Sequence, residues 1–318
     1  FQLDECDNVY IAAMDVSNCD LDSSFLFNSV PSGNKDTTLT IVDSTFSGIA
    51  FHALSQPVAM TATSWAEVTL NGNTWTNIHS ATENALLLKV SGEADSISMN
   101  SNSFDDIEAW FYISAKQTVS LGDNIVSFPR SKSDVFARIE NSNATPNTVE
   151  LIDLVVNDVV TASALLEIIS SQTTLTISNL SLSSIEITAF TGPVLNVDCN
   201  IITNMSETTF SGFGGSNLAR AVQLKANEVT LYNVSMDNCY ATTSMLRIEA
   251  SQVIDMSFVD IHSCSVDSDS SEALLYTFGP SITYVATNIS LNGIHNSGDI
   301  YTISTECETN VTALYVED

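Results

Sequence analysis

The chain reads as an all-β protein: a single right-handed parallel β-solenoid of about eleven turns, with a mean repeat of about 27 residues and a part turn at each end. Three observations predict this. A ten-residue hydrophobic frame recurs along the whole sequence. A second, short apolar patch follows each copy of it. No stretch keeps a helical period with capping residues, and with only 12 glycines and 6 prolines the turns fall mainly to Asn, Asp and Ser.

The frame is apolar at positions 0, 2, 7 and 10 and variable at position 5. It begins at Val9, Leu39, Val68, Ile97, Val119, Val149, Leu175, Thr203, Val229, Ile254 and Tyr284. Position 2 is apolar in every copy, from Ile11 and Ile41 to Met256 and Ala286. Position 7 is too, from Val16 and Phe46 to Ile261 and Leu291. Position 10 breaks only at Pro129. Two columns filled without exception make this a template match rather than a general hydrophobic content. Positions 0 and 2 alternate, as do 5 and 7, so each pair places two side chains on one face of a short strand. The odd gap between 2 and 5 is a corner. Tail patches such as Ala164-Leu165-Leu166-Glu167-Ile168 and Met245-Leu246-Arg247-Ile248 supply a third strand on the way back. Strand, corner, strand, corner and a longer return make one turn, whose inward residues are buried against like residues above and below. The hand follows from the right-handed preference of parallel crossovers. The domain reading is one unit over 1–318: a part turn at 1–8, eleven turns over 9–305, and a part turn at 306–318.

Stacking of like positions makes specific expectations. Phe46, Trp75 and Phe104 form an aromatic ladder. Ser44, Asn73, Asn102 and Asn124 share position 5 and form a polar ladder that satisfies buried amides. Cys239 and Cys264 share position 10 in consecutive turns, about 4.8 Å apart, which is within disulfide reach. Six Asn-x-Ser/Thr sequons occur, at Asn143, Asn179, Asn204, Asn233, Asn288 and Asn310. Asn179, Asn233 and Asn288 fall at position 4, the corner, so glycans there line one face of the rod.

Nine basic residues stand against 38 acidic ones, a formal charge of −29. That balance excludes passive nucleic-acid binding and attraction to anionic lipid. No apolar run reaches the 18 residues that membrane insertion by a helix needs. An acidic, lysine-poor chain with Ser/Thr-rich strands, beginning at Phe1, reads as a secreted or cell-surface protein.

In architecture the repeat resembles the right-handed parallel β-helix of the pectin-lyase-like superfamily. More narrowly it resembles the surface repeats of polymorphic outer-membrane proteins, whose turns carry Phe-x-x-Asn. Phe25-Leu26-Phe27-Asn28 has that form, and Trp75-Thr76-Asn77 and Phe104-Asp105-Asp106 approach it. The companion Gly-Gly-Ala-Ile element is missing, with Gly214-Gly215 the nearest fragment. The resemblance implies the fold and no activity.

Enzymes of the pectinase type need clustered cations or aspartates beside His and Arg. Here Lys35, Lys89, Lys116, Lys132, Lys225, Arg130, Arg138, Arg220 and Arg247 are scattered in sequence apart from Arg130–Lys132. His52, His79, His262 and His295 lie in four different turns, and the Gly-His-Gly and Asn-Thr-Asp elements of polygalacturonases are absent. Adjacent Asp105 and Asp106 point to opposite faces of a strand. The reading is therefore not an enzyme. The one cofactor expectation is weak Ca²⁺, at the acidic loop of Asp267, Asp269 and Glu272 or at subunit junctions.

A solenoid has two β-edges that must be covered. Neither end of this sequence reads as a cap. Val311, Ala313 and Val316 fit positions 5, 7 and 10 of a further frame starting at Glu306. That gives 13 residues, which with residues 1–8 of a second copy make 21, against 22 in the shortest turn. The expectation is a structural subunit of an extracellular filament or surface appendage that partners itself head to tail. Phe1, Leu3, Cys6, Cys307, Val311, Leu314 and Val316 form its junction. Cys6 and Cys307 bridge subunits in this reading, while a Cys6–Cys19 pair within one chain competes. Asp4, Glu5, Asp7, Glu306, Glu308, Glu317 and Asp318 crowd the junction and repel, which salt or Ca²⁺ must offset. The alternative is an adhesive or carbohydrate-binding surface domain, a fragment of a longer stalk. Its candidate aromatics, Trp65, Trp110, Tyr112 and Tyr240, share no column of the frame.

Overall fold

The structure is a computed structural model. It describes residues 2–22, 25–31, 36–52, 58–80, 86–108, 110–127, 130–131, 137–140, 147–161, 164–188, 192–214, 218–266, 274–279, 282–292, 301–305 and 308–317. Over these residues the chain is an all-β parallel solenoid, and no helix is present among them. None is therefore long and apolar enough to cross a membrane.

Three columns of parallel strands run the length of the molecule. In the first, Val9 pairs with Leu39, and the pairing passes through Val68, Ile97, Val119, Val149, Leu175, Ile202, Val229, Ile254 and Tyr284 to Thr309. In the second, Val16, Phe46, Trp75, Phe104, Val126, Val156, Leu182, Phe210, Met236, Ile261, Leu291 and Val316 follow one another. The third holds the return strands, from Gln2–Cys6 and Phe25–Pro31 to Leu275–Gly279 and Tyr301–Thr305. Inward residues of all three merge into one core that includes Leu39, Phe46, Leu175, Met236 and Leu291.

The corners explain why the frame has its spacing. Position 4 is left-handed in every copy: Ala13, Asp43, Gly72, Ser101, Asp123, Asp153, Asn179, Glu207, Asn233, Phe258 and Asn288 have φ between 50° and 66°. Position 9 repeats this at Asn18, Gly48, Asn77, Asp106, Asp158, Ser184, Gly212, Asn238 and Ser263. One left-handed residue turns the chain and resets which side points inward, so the apolar alternation changes phase. Asn, Asp, Ser and Gly dominate both columns because they tolerate this conformation best. Phe258 is the outlier, a bulky side chain held at φ 57°.

Two registers differ from the sequence expectation. Leu175 pairs with Ile202, not Thr203, and Thr176 pairs with Asn204. Thr203 is an extra residue in a bulge, and its hydroxyl donates to the Leu175 carbonyl at 3.2 Å. The apolar Ile202 fills the inward place that a threonine would have filled poorly. At the C-terminal end Thr309, Val311, Leu314 and Val316 pair with Tyr284, Ala286, Ile289 and Leu291. The last frame thus starts three residues after Glu306, with Val311 at position 2 and Val316 at position 7. Three hydrophobic residues with similar spacing fit either register, and pairing along the full strand Glu308–Glu317 selects the later one.

The position-5 ladder is present in detail. Asn73, Asn102 and Asn124 are buried. Their Oδ1 atoms accept the backbone N–H of Ser44, Asn73 and Asn102 respectively, each at 3.0 Å. Their Nδ2 groups donate to the carbonyls of Ile41, Leu70 and Met99 at 2.9, 2.7 and 2.7 Å. Each amide thus satisfies backbone groups that a corner leaves without a sheet partner. The aromatic ladder holds for two rings: Phe46 and Trp75 stack at 3.9 Å and 11°. Phe104 stays in register with Trp75 but meets Phe111 edge-on at 5.0 Å.

Candidate functional site

The first candidate is the pair of solenoid edges. Strands Gln2–Cys6, Asn8–Ala12 and Asp15–Leu21 each pair on one side only among the described residues, as do Tyr301–Thr305 and Glu308–Glu317. Leu3, Cys6, Ile11, Met14, Cys19 and Leu21 are apolar residues packed against the core but left partly open. These six belong to the first turn, and Ala137, in mid-rod, is partly buried as well. Bonding in a parallel ladder alternates along a strand. Thr38 N–H donates to Asp7 O and Ala13 N–H to Val42 O. The outward-facing backbone groups of the edge are therefore those of Asn8, Tyr10 and Ala12, and Tyr10 is 73% exposed. Phe1 and Cys307 lie outside the described residues, and Val311, Leu314 and Val316 are placed by backbone register alone.

The cysteines come next. Cys239 and Cys264 lie in consecutive turns beside the paired segments Tyr240–Ala241 and Ser265–Val266, and both are buried free thiols. Cys239 Sγ lies 3.2 Å from the Asp237 carbonyl. A hydrogen bond with Cys239, reinforced by burial, holds the Cys264 thiol protonated. No bond joins the two sulfurs, so the disulfide within reach of the stacked positions is not formed in this structure. Cys199 is buried elsewhere, and desolvation pushes its thiol up to about 12. Cys6 and Cys19 are half-buried.

Of the sequon residues, Asn179, Asn233 and Asn288 occupy the left-handed corner column, with Asn179 and Asn233 exposed. Asn204 is half-buried in a strand and donates to Ser206 Oγ at 3.1 Å. Asn310 lies in the last strand, and Asn143 is outside the described residues. Between Asn233 and Asn288 the same corner column carries Phe258, whose exposed ring meets exposed Tyr232 edge-on at 5.5 Å.

The carboxylates do not form a pair across a strand. Asp106 sits in a corner at φ 50°, so the alternation expected to oppose it to Asp105 does not apply. His79 Nε2 lies 3.9 Å from Asp106, and its Nδ1 lies 3.6 Å from Glu108. His262 Nε2 is 3.2 Å from Asp237. His52 Nε2 is 3.6 Å from Asp20. His295 and the Asp267, Asp269, Glu272 loop are outside the described residues. Among those described, no three His, Cys, Asp or Glu side chains gather as metal ligands.

The sequence frame did not reveal a ladder on the outer side of the return strands. In successive turns Lys89, Tyr112, Arg138, Glu167, Asn196, Gln223, Arg247 and Tyr276 stack in one column. Two residues further along the strands, Ser114, Glu140, Ile169, Asp198, Lys225, Glu249 and Phe278 stack in a second. Side chains connect both within and between the columns. Arg138 donates to Glu167 at 2.7 Å, and Tyr112 OH to Glu140 at 3.1 Å. Lys225 donates to Asp198 at 2.7 Å, and Arg247 to Glu249 at 2.6 Å. Arg247 also lies over the Tyr276 ring at 5.2 Å. Tyr112, one of the four candidate aromatics, therefore belongs to a column after all, with Tyr276. Trp65 is fully buried and donates to the Ser29 carbonyl at 3.2 Å, so it belongs to the core.

Inside the solenoid an apolar cavity of about 50 Å³ is lined by Phe104, Phe111, Ala137, Ile139, Leu166 and neighbours. It sits where the inward return column passes from Phe111 through the small Ala137 to Leu166. Comparison with protein families, with curated proteins and with solved structures finds no match to this chain.

Proposed function

We propose that the chain is a structural subunit of an extracellular filament or surface appendage, built by head-to-tail stacking of solenoids and carrying N-glycans along its corner column. The observation that carries this is the matched pair of edges. The first turn presents its return, first and second columns in that order, with the apolar row from Leu3 to Leu21 partly uncovered. The last strands, Tyr301–Thr305 and Glu308–Glu317, stand in the same three columns. A second copy placed on that edge adds its Gln2–Cys6 strand to the return column and its next two strands to the others. Every column continues in parallel, and the uncovered apolar row gains a neighbour. The join is heterologous, so it propagates rather than closes. Charge opposes it and salt favours it.

Tyr10→Pro tests the proposal. It removes an outward N–H from the edge strand and places a ring where a neighbouring strand must pair. Negative-stain electron microscopy of the native chain is expected to show long unbranched filaments, lost in Tyr10→Pro with unchanged far-ultraviolet circular dichroism. Native material that forms only isolated rods at every salt concentration overturns the reading.

The placing of Cys239 and Cys264 in consecutive turns, beside the paired segments Tyr240–Ala241 and Ser265–Val266, supports a further element of the proposal. In an oxidising compartment the two stacked thiols close into a disulfide that staples consecutive turns. A non-reducing peptide map without a linked Cys239–Cys264 peptide removes it.

A further inference from the structure

The outer face of the return strands differs in kind from the other two faces. On the first face the outward row is mostly short, as at Thr40, Thr69, Ser98 and Ser120, with Tyr10, Glu150 and Asp255 as exceptions, and on the second face Ser17, Ser47 and Thr76 share their row with Asp105, Asp237 and His262. The return face instead carries long, planar or charged groups in two columns. It also holds most of the scarce cations: Lys89, Arg138, Arg220, Lys225 and Arg247 are five of the nine basic residues in the whole sequence. Against them stand Glu140, Glu167, Asp198 and Glu249. The face is near neutral, while the rest of the chain holds four cations against 34 acidic residues. Among lateral approaches, this face therefore carries the cations that offset the acidity of a second copy.

The order of residues along the face adds specificity. We propose that the return face is a lateral contact with a second copy of this chain, the two rods antiparallel. Their two-fold axis runs along the strand direction, between the turn of Glu167 and the turn of Asn196. In that arrangement each column faces its own reverse. Lys89 meets Tyr276 and Tyr112 meets Arg247, both cation–aromatic pairings, each made twice by symmetry. Arg138 meets Gln223, and Glu167 meets Asn196. In the second column Glu140 meets Lys225, Ile169 meets Asp198, and Ser114 meets Glu249. No like charges are opposed.

Moving the axis by half a turn destroys this. One shift opposes Lys89 to Arg247 and Glu140 to Asp198. The other opposes Arg138 to Arg247 and Glu140 to Glu249. Whole-turn shifts oppose no like charges either, but they keep at most one cation–aromatic pairing, so of these five placements the axis between Glu167 and Asn196 makes the most complementary contacts. Exposed Ile169 and Phe278 give the face apolar surface as well. Eight turns at about 4.8 Å by a strand of about five residues cover roughly 600 Å² per copy, or about 1,200 Å² in total, at the lower bound for a specific interface. The contact is weak for one pair of rods and adds up along a filament, where many pairs engage together. This inference stands independently of head-to-tail assembly.

The test uses the full chain carrying Tyr10→Pro, so that end-to-end growth does not confuse the result. Sedimentation velocity over a concentration series is expected to show a reversible dimer that strengthens from low to moderate salt, as repulsion between the acidic remainders is screened. Glu140→Lys alone, or Lys225→Glu alone, opposes like charges and is expected to weaken association about tenfold or more. The double swap restores it to within about threefold. A monomer at every salt and concentration overturns the proposal, as does a dimer indifferent to the swaps. Should the swapped chains fail to fold, Asn196→Cys in a Cys6→Ser, Cys19→Ser background decides. A short bis-thiol reagent should link Asn196→Cys dimers across the axis and should not link Ser98→Cys on the first face. Equal linking of the two overturns the proposal.

Discussion

Asn102→Ala is the sharpest test of what holds the solenoid together. The Asn102 side chain accepts from Asn73 N–H at 3.0 Å and donates to Leu70 O at 2.7 Å. Removing it leaves two buried backbone groups without their side-chain partner. At roughly 1–3 kcal/mol for each orphaned group, the cost is about 4 kcal/mol. With an unfolding entropy of about 2.1 cal/mol/K per residue over 318 residues, that lowers Tm by about 6 °C. Urea unfolding followed by circular dichroism measures it directly, with Thr69→Ala on the outer first face as a control expected within about 0.5 kcal/mol of native. Asn102→Leu fills the volume without the bonds and is expected to cost about 2 kcal/mol or more. The slope of the transition must be read alongside the midpoint, because solenoids can lose turns locally and show a shallower slope. A loss below about 1 kcal/mol at unchanged slope refutes the view that the amide ladder substitutes for missing sheet partners.

Other outcomes follow from the same structure. Phe258→Asn relieves a bulky residue in a left-handed corner at the loss of one edge contact with Tyr232, and is expected to stabilise the chain by about 1 kcal/mol in the same assay. The Cys199 thiol is raised by burial to about 12. Its contribution to stability is therefore fully present below the unfolded thiol value and is lost as pH rises through the folded one. The unfolded state releases its proton first, so stability falls across that window, and Cys199→Ala should flatten this part of the unfolding profile. Thiol labelling of the reduced native protein should reach Cys6 and Cys19 quickly, and Cys199, Cys239 and Cys264 only on unfolding. In secretory expression, mass spectrometry should find glycans on exposed Asn179 and Asn233 and none on half-buried Asn204. Ala137→Val, which partly fills the interior cavity, should raise stability by about 1 kcal/mol.

Much of this architecture was legible because two corners of fixed geometry separate strands of fixed length. From position 0 to position 10 the spacing is set by backbone conformation, so Leu39, Ile41 and Phe46 recur as Val68, Leu70 and Trp75 without a gap. The asparagine column could be read for the same reason. The bulge at Thr203 could not, since one extra residue looks like a poor match rather than an insertion. The C-terminal register was misread because Val311 and Val316 fit two phases of the frame, and only hydrogen bonding along the strand separates them. The return ladder was invisible for a different reason. The connection before each return strand varies in length, so Arg138, Glu167, Asn196 and Gln223 have no constant distance from their frames. Only space brings them together.

The direction of the hydrogen bonds has a mechanical consequence. In every column they run along the rod, from one turn to the next, rather than across it. A pull on the two ends of one subunit therefore loads the turns in series, and the outermost turn peels away while its neighbours stay closed. Each released turn of about 27 residues pays out roughly 90 Å of chain at about 3.4 Å per residue. A filament of such rods would lengthen under tension in discrete steps and absorb work at each one, as a shock absorber does, instead of snapping at its weakest joint.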